Sequence, residues 1–134
     1  MKKTGILNGH LAHVIASMGH TDKLVICDVG LPIPHDAEVV DLALTPNIPR
    51  FLDTLKAVLA ELHIEEVVVA KEMVANSNGL YREVLPLLGG IPVRQVPHDR
   101  FKEMLRTDGN ITFVRTGEVT PFANIILVSG VIFS

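Results

Sequence analysis

Three of the six histidines, His10, His13 and His20, fall within eleven positions near the start of the 134-residue sequence, beside Asn8 and Asp22. Imidazoles at that density raise metal binding first. His10 and His13 stand i, i+3 and would share a helix face, with His20 or Asp28 as a third ligand completing an open site. The usual zinc-binding helix pair is spaced i, i+4 and carries a catalytic Glu, and neither feature is present, so these two histidines read as a solvated polar face. His20 follows Gly19, where a helix would stop. One reading makes it a helix C-terminal group, where an imidazolium is favoured. The other makes it an acid–base group, since histidine is the side chain that ordinarily changes charge between pH 5 and 8.

Asp28 closes the aliphatic run of residues 23–27 and precedes Gly30, Pro32 and Pro34. It is either a turn residue of the Asx kind or a group at the strand end where ligands gather in open α/β sheets. Residues 115–124 form a second polar island between two aliphatic runs. There Phe122 could cover the apolar face of a small ligand, and Asn124 could both donate and accept hydrogen bonds; alternatively Phe122 belongs to the core. His98 follows Pro97 as a helix cap or ligand donor, and Lys102 lies one turn on, facing the same way. No glycine-rich phosphate cradle and no nucleophile elbow is present, and Cys27 sits in an apolar run where a thiol is normally inert. Phosphoryl transfer and acyl-enzyme chemistry lose ground.

These groups need a scaffold. Residues 8–18 place Leu11, Val14, Ile15 and Met18 on one stripe, which predicts a helix capped by Asn8. Aliphatic runs predict strands at 23–27, 38–44, 66–70, 93–96, 111–115 and 125–128, with one more at 131–133. Amphipathic helices are expected over 50–62, 78–88 and 98–106, with Pro86 shortening or kinking the second. Strands alternating with helices argue for a single domain, residues 1–134, of three-layer α/β/α architecture with a mixed, mostly parallel central sheet. If residues 23–27 are regular strand, His20 and Asp28 could lie more than ~20 Å apart along one chain. They could then cooperate only through a folded-back turn or a site shared between subunits.

Composition narrows the function classes. The chain is 48% hydrophobic and 20% charged, with a formal net charge of −3, so it has no basic excess with which to bind nucleic acid. A chain of this size buries roughly two-thirds of its unfolded surface and needs no disulfide or metal staple. One cysteine cannot form an internal bridge, no secretory signal is visible, and no apolar run approaches the ~20 residues that span a bilayer. A cytoplasmic protein with no membrane partner is expected. The mean hydropathy of +0.36, built from aliphatic residues with few aromatics, suggests exposed apolar patches and hence a homo-oligomer.

Several motifs in order complete the reading: Gly5-Ile-Leu-Asn8 with His10-Leu11, Gly19-His-Thr-Asp22, Asp28-x-Gly-Leu-Pro-Ile-Pro34, and Arg115-Thr-Gly-Glu118 followed by Thr120-Pro121 and Ala123-Asn-Ile-Ile-Leu127. Together they resemble the D-ribose pyranase (RbsD) family, to which the fucose mutarotases are related, from one end of the chain to the other. The resemblance implies an isomerase without a cofactor that interconverts the pyranose and furanose forms of D-ribose and supplies furanose for ribose catabolism. It also implies pentameric rings paired into a decamer, with active sites between neighbouring subunits. His20 matches the catalytic histidine, and Asp28, His98, Lys102, Phe122, Ala123 and Asn124 match sugar-contacting positions. Phe122 departs from the Tyr common in the family, so the ring is kept and a hydroxyl is lost. Ring opening then needs a proton delivered to the ring oxygen and another removed from the anomeric hydroxyl, with His20 as general acid. A mutarotase for another sugar such as fucose, and a non-catalytic sugar-binding module, are the rival readings.

Overall fold

The computed structural model describes residues 1–76, 78–107 and 109–133. In chain order the elements are α1 (Gly9–Ser17), β1 (Lys23–Cys27), β2 (Glu38–Asp41), α2 (Phe51–Leu59), β3 (Ile64–Ala70), α3 (Lys71–Asn76), α4 (Leu80–Leu88), β4 (Val93–Val96), α5 (His98–Met104), β5 (Ile111–Arg115) and β6 (Ile125–Ser129). The strands form one sheet in the order β2-β5-β1-β6-β3-β4. Strands β2, β5 and β1 pair in parallel, as do β3 and β4, while β6 runs antiparallel between β1 and β3. The sheet is therefore mixed and mostly parallel, as expected from the sequence.

Period-two alternation divides the apolar residues between two faces. Leu24 and Ile26 of β1, Val67 and Val69 of β3, and Ile125 and Leu127 of β6 join one core with Leu11 and Val14 of α1, Phe51, Leu55 and Val58 of α2, and Val84 and Leu88 of α4. Val25, Cys27, Val68, Ala70 and Ile126 face the other way, against Phe101 and Met104 of α5 and the loop residue Leu31. Burial on both faces explains why the central strands read as continuous β-branched and aliphatic runs. The three layers are unequal, with α5 and a loop covering the second face.

Several boundaries differ from the sequence reading. Strand β2 stops at Asp41 rather than continuing to residue 44. There the Asp41 carboxylate accepts from the Ala43 amide, and residues 44–48 fold into a tight turn in which the Leu44 amide donates to the Ile48 carbonyl. Helix α2 ends at Leu59, with the Ala60 amide donating to the Lys56 and Val58 carbonyls, and α5 ends at Met104 rather than at residue 106. Strand β3 begins at Ile64, two residues earlier than the apolar run suggests. Helix α3 is not signalled in the sequence, because it is six residues long and buries only Met73. Helix α4 starts at Leu80 after a left-handed Gly79 and carries Pro86 inside it through to Leu88. Residues 131–133 form no strand, and Ile132 and Phe133 are exposed.

Candidate active site

The five mutually parallel strands end on one edge of the sheet, where β6 begins. Asp28 follows β1 there, and Asn124 precedes β6 beside it. Their backbones and side chains bond reciprocally: the Asp28 amide donates to Asn124 Oδ1 at 2.9 Å, and Asn124 Nδ2 donates to Asp28 Oδ2 at 3.2 Å. Asp28 Oδ1 accepts from the Gly30 amide at 3.0 Å, so the Asx-type turn and the strand-end site are the same structure. Burial pushes the Asp28 carboxyl above its ordinary range, against the opposing pull of the Gly30, Asn124 and Leu31 hydrogen bonds and the nearby charge of His98.

His98 opens α5 on the same edge. Its ring meets Phe122 edge-on, with centroids 5.0 Å apart at 82°, and lies parallel to Phe101 at 6.3 Å. These contacts fix the plane of the imidazole, and its Nδ1 is buried with no hydrogen-bond partner among the described residues. A buried ring nitrogen left open is a group that a ligand hydroxyl could satisfy. The helix start that carries His98 has Pro97 at its cap and no side-chain cap of its own. Glu72 of α3 replaces it, both carboxylate oxygens accepting from the His98 amide at 3.0 and 3.2 Å.

Phe122 is held with φ at +63°, a conformation unfavourable for a bulky side chain. The surrounding loop is tied down heavily. Thr116 bonds the Cys27 carbonyl through both its hydroxyl and its amide. Gly117 lies so close to the turn at 45–48 that a Cβ would come within 2.5 Å of the Thr45 carbonyl oxygen. Glu118 is buried, and its Oε1 accepts from the Phe51 amide at 3.0 Å while its Oε2 accepts from the Thr120 hydroxyl at 2.8 Å and from Arg50 Nη2 at 3.3 Å. Burial would raise this carboxyl, but the hydrogen bonds from Arg50, Phe51 and Thr120 and the guanidinium charge together hold it below its ordinary range. The Glu118 carbonyl accepts from the Val29 amide, which joins this loop to the one carrying Asp28.

The result is an open cleft of about 320 Å³, lined by Asp28, His98, Phe122 and Asn124 together with Leu31 and Thr120. That volume is at the lower end of small-molecule sites, which suits a monosaccharide better than a nucleotide. Two aromatic-type rings and several hydrogen-bonding groups meet in it, a combination fitted to a ligand with C–H faces and hydroxyl edges.

Other residues singled out in the sequence lie elsewhere. Ala123 is fully buried in the larger core and is not among the residues lining the cleft. Lys102 is on α5 with its ammonium 3.7 Å from Asp99, and it is not among the residues lining the cleft. His20 lies at the opposite edge of the sheet, before the start of β1, where its Nε2 meets Glu65 at 2.9 Å. It is not a helix cap, because α1 ends at Ser17 and the Met18 amide closes its last turn. His10 contacts Glu38, and among the described residues no three His, Cys, Asp or Glu side chains gather as a metal-binding group. Burial, with the Asp28 charge adding to it, pushes the Cys27 thiol up to about 12, consistent with an inert core residue. Glu72 and Glu65 lie in no motif the sequence displays, and Glu118, although it ends the Arg115–Glu118 motif, carries no sequence signal for the loop-tying role it takes here.

The Asp28 carboxylate offers a direct check on this edge. Because its pKa is raised on folding, its charge opposes folding above that pKa, and the penalty disappears below the unfolded value. The stability of Asp28→Asn relative to the wild type is therefore expected to increase from acid to neutral pH. Urea unfolding across that range measures it, and a difference independent of pH would contradict the inferred burial of the charge.

Comparison with known proteins places this geometry. A D-ribose pyranase of Coprothermobacter proteolyticus is 54% identical over 133 residues, covering 99% of this chain and 100% of that one. The structure of Bacillus subtilis RbsD complexed with D-ribose superposes with a TM-score of 0.92 at 41% identity, covering 99% of this chain and 100% of that one. A fucose mutarotase from Streptococcus pneumoniae in complex with L-fucose shares the fold, with a TM-score of 0.75 at 22% identity over 95% of each chain. Residues 1–132 match the RbsD / FucU transport protein family, and the chain belongs to it.

Proposed function

We propose that this protein is a D-ribose pyranase, an isomerase that opens the pyranose ring of D-ribose and recloses it as the furanose at a site shared by two copies of the chain. The observation that carries this reading is the cleft in which Asp28, His98, Phe122 and Asn124 converge, although Asp28 and Asn124 are 96 positions apart in sequence. Full-length similarity to an enzyme of that name and to a ribose-bound structure supports the choice of sugar.

Ring opening moves two protons, one onto the ring oxygen and one off the anomeric hydroxyl, and reclosure through another hydroxyl reverses them. His20 is assigned the proton to the ring oxygen. Asp28 and Asn124 hold hydroxyls in a fixed, mutually bonded frame, His98 offers its open Nδ1 to another, and Phe122 covers a C–H face. Lys102 and Ala123 lie outside the lining of the cleft in one copy, and their assignment to the sugar rests on the family resemblance alone.

Strand β1 separates His20 from Asp28, and its five residues span roughly 17 Å at the usual rise. One copy therefore cannot complete the site by itself, and a neighbour must supply His20 to the cleft. Exposed apolar side chains support such a contact at both edges: Val29, Leu44 and Val119 beside the cleft, and Ile132 and Phe133 beyond the end of β6, on the His20 side. A contact between two different edges is heterologous and closes into a ring when its rotation allows, in keeping with pentameric rings paired into a decamer. No helix among the described residues is long and apolar enough to cross a membrane. A cytoplasmic enzyme supplying furanose to ribose catabolism fits the single unpaired cysteine and the chemistry.

Saturation-transfer NMR, run on ribose and fucose side by side, tests the function. Accelerated exchange between ribose pyranose and furanose forms is expected. Faster exchange with fucose would make the protein a mutarotase for that sugar, and no acceleration of either would leave a binding module.

A further inference from the structure

Three local departures from regular structure meet around His20, and each bears on Glu65. The first is in β3. Ile64 pairs with Ser129 and Glu66 with Val128, so Glu65 is an extra residue bulged out of the ladder. In an unbroken strand Glu65 would share the face of Val67 and Val69 and point into the larger core. The bulge puts Ile64 into that core instead and leaves Glu65 exposed at the sheet edge. Bulges commonly re-aim a side chain near a functional site. The second is Gly130, where an added Cβ would lie 2.8 Å from His63 Nδ1 and 3.2 Å from Glu65 Cβ. Only a glycine lets the chain leaving β6 pass that closely beside Glu65. The third is Thr21, held with φ at +70° while its amide donates to the Ser129 carbonyl at 2.9 Å. The turn is closed on its other side by the Gly19 amide donating to Asp22 Oδ2 at 2.8 Å. Strain in a non-glycine residue beside a reactive side chain persists only where the surroundings over-determine it.

These departures bring His20 Nε2 and Glu65 Oε2 to 2.9 Å. We infer that Glu65 is a positioning residue for His20: its carboxylate accepts from Nε2–H, fixes the tautomer and plane of the ring, and leaves Nδ1 as the nitrogen that exchanges a proton with the sugar. A carboxylate is an acceptor only, so the proton on Nε2 is specified by its partner. The logic is that of a carboxylate orienting a histidine base in a catalytic triad. The inference rests on the reading of His20 as the acid–base group, and it adds a second functional carboxylate at the edge opposite Asp28.

Three variants separate the inference from the reading beneath it. Glu65→Ala is expected to lower kcat for ribose ring exchange by about tenfold or more with KM nearly unchanged, since Glu65 does not touch the sugar. Glu65→Gln, which can still accept from Nε2–H without the charge, is expected to recover part of that loss. In protein carrying 15N-labelled histidine, with His20 assigned by its absence in His20→Ala, solid-state NMR should show the Nε2–H form in the wild type and in Glu65→Gln. A mixture of tautomers is expected in Glu65→Ala. Wild-type kcat in both Glu65 variants, or a His20 tautomer that does not change in Glu65→Ala, overturns the inference. Full activity in His20→Ala would instead overturn the acid–base reading itself.

Discussion

Replacing His20 by alanine is expected to slow catalysed exchange between the ring forms of ribose about 10²- to 10⁴-fold, the usual contribution of a positioned acid or base. Thermal stability and assembly should stay close to wild type. The His20 side chain is 53% exposed and its one charged partner, Glu65, is 42% exposed, so the pair contributes little to folding. A fall in rate without a fall in stability separates chemistry from structure. Saturation-transfer rates measured beside an unfolding curve give both quantities on one preparation. Wild-type exchange in the variant would remove His20 from the mechanism.

The second large effect is structural and concerns Glu118. Removing its carboxylate in Glu118→Ala strands the buried amide of Phe51 and frees the Thr120 hydroxyl, in addition to separating Arg50 from its partner. Leaving a buried donor unpaired, together with losing bonds to a charged acceptor, costs on the order of 3 kcal/mol. In a chain of this length that corresponds to a melting midpoint about 10 °C lower. Because folding lowers the Glu118 pKa, its contribution is fully present above the unfolded value and is lost as pH falls through the folded one. The stability gap between wild type and Glu118→Gln should therefore close on acidification. The loop that presents Phe122 and Asn124 also loosens, so KM for ribose should rise. A midpoint unchanged in Glu118→Ala, measured at fixed protein concentration, would contradict the role assigned to this carboxylate.

The central strands were legible because both of their faces are buried in aliphatic residues; β1, β4 and β5 lie where the apolar runs place them, β6 runs one residue further and β3 begins two residues earlier. Helix α3 was not, since a single buried Met73 in six residues leaves no periodicity to read. Strand β2 was overextended because Leu42 and Leu44 continue the apolar pattern after Asp41 and Ala43 have already turned the chain. Within the candidate site, Asp28, His98, Phe122 and Asn124 stand next to strand ends or glycine- and proline-marked loops, which sequence displays directly. Their supports are long-range. Glu118 reaches Phe51 across 67 positions, Glu65 reaches His20 across 45, and Glu72 reaches His98 across 26. Pairings of that separation depend on strand order, and strand order is not written in local pattern.

The separation of His20 from Asp28 was anticipated from strand length alone, and the structure puts the two at opposite ends of β1. In the proposed mechanism their joint action depends on a second copy, which makes subunit mixing the most direct measurement. His20→Ala protein and Asp28→Ala protein, each expected to exchange ribose far more slowly than wild type on its own, are dissociated, mixed in equal amounts and reassembled. If every site joins His20 of one copy to Asp28 of its neighbour, random mixing restores about one quarter of wild-type ribose exchange. If the two residues serve the same site within one copy, every site in the mixture lacks one of them, and well-mixed oligomers remain as inactive as their parents.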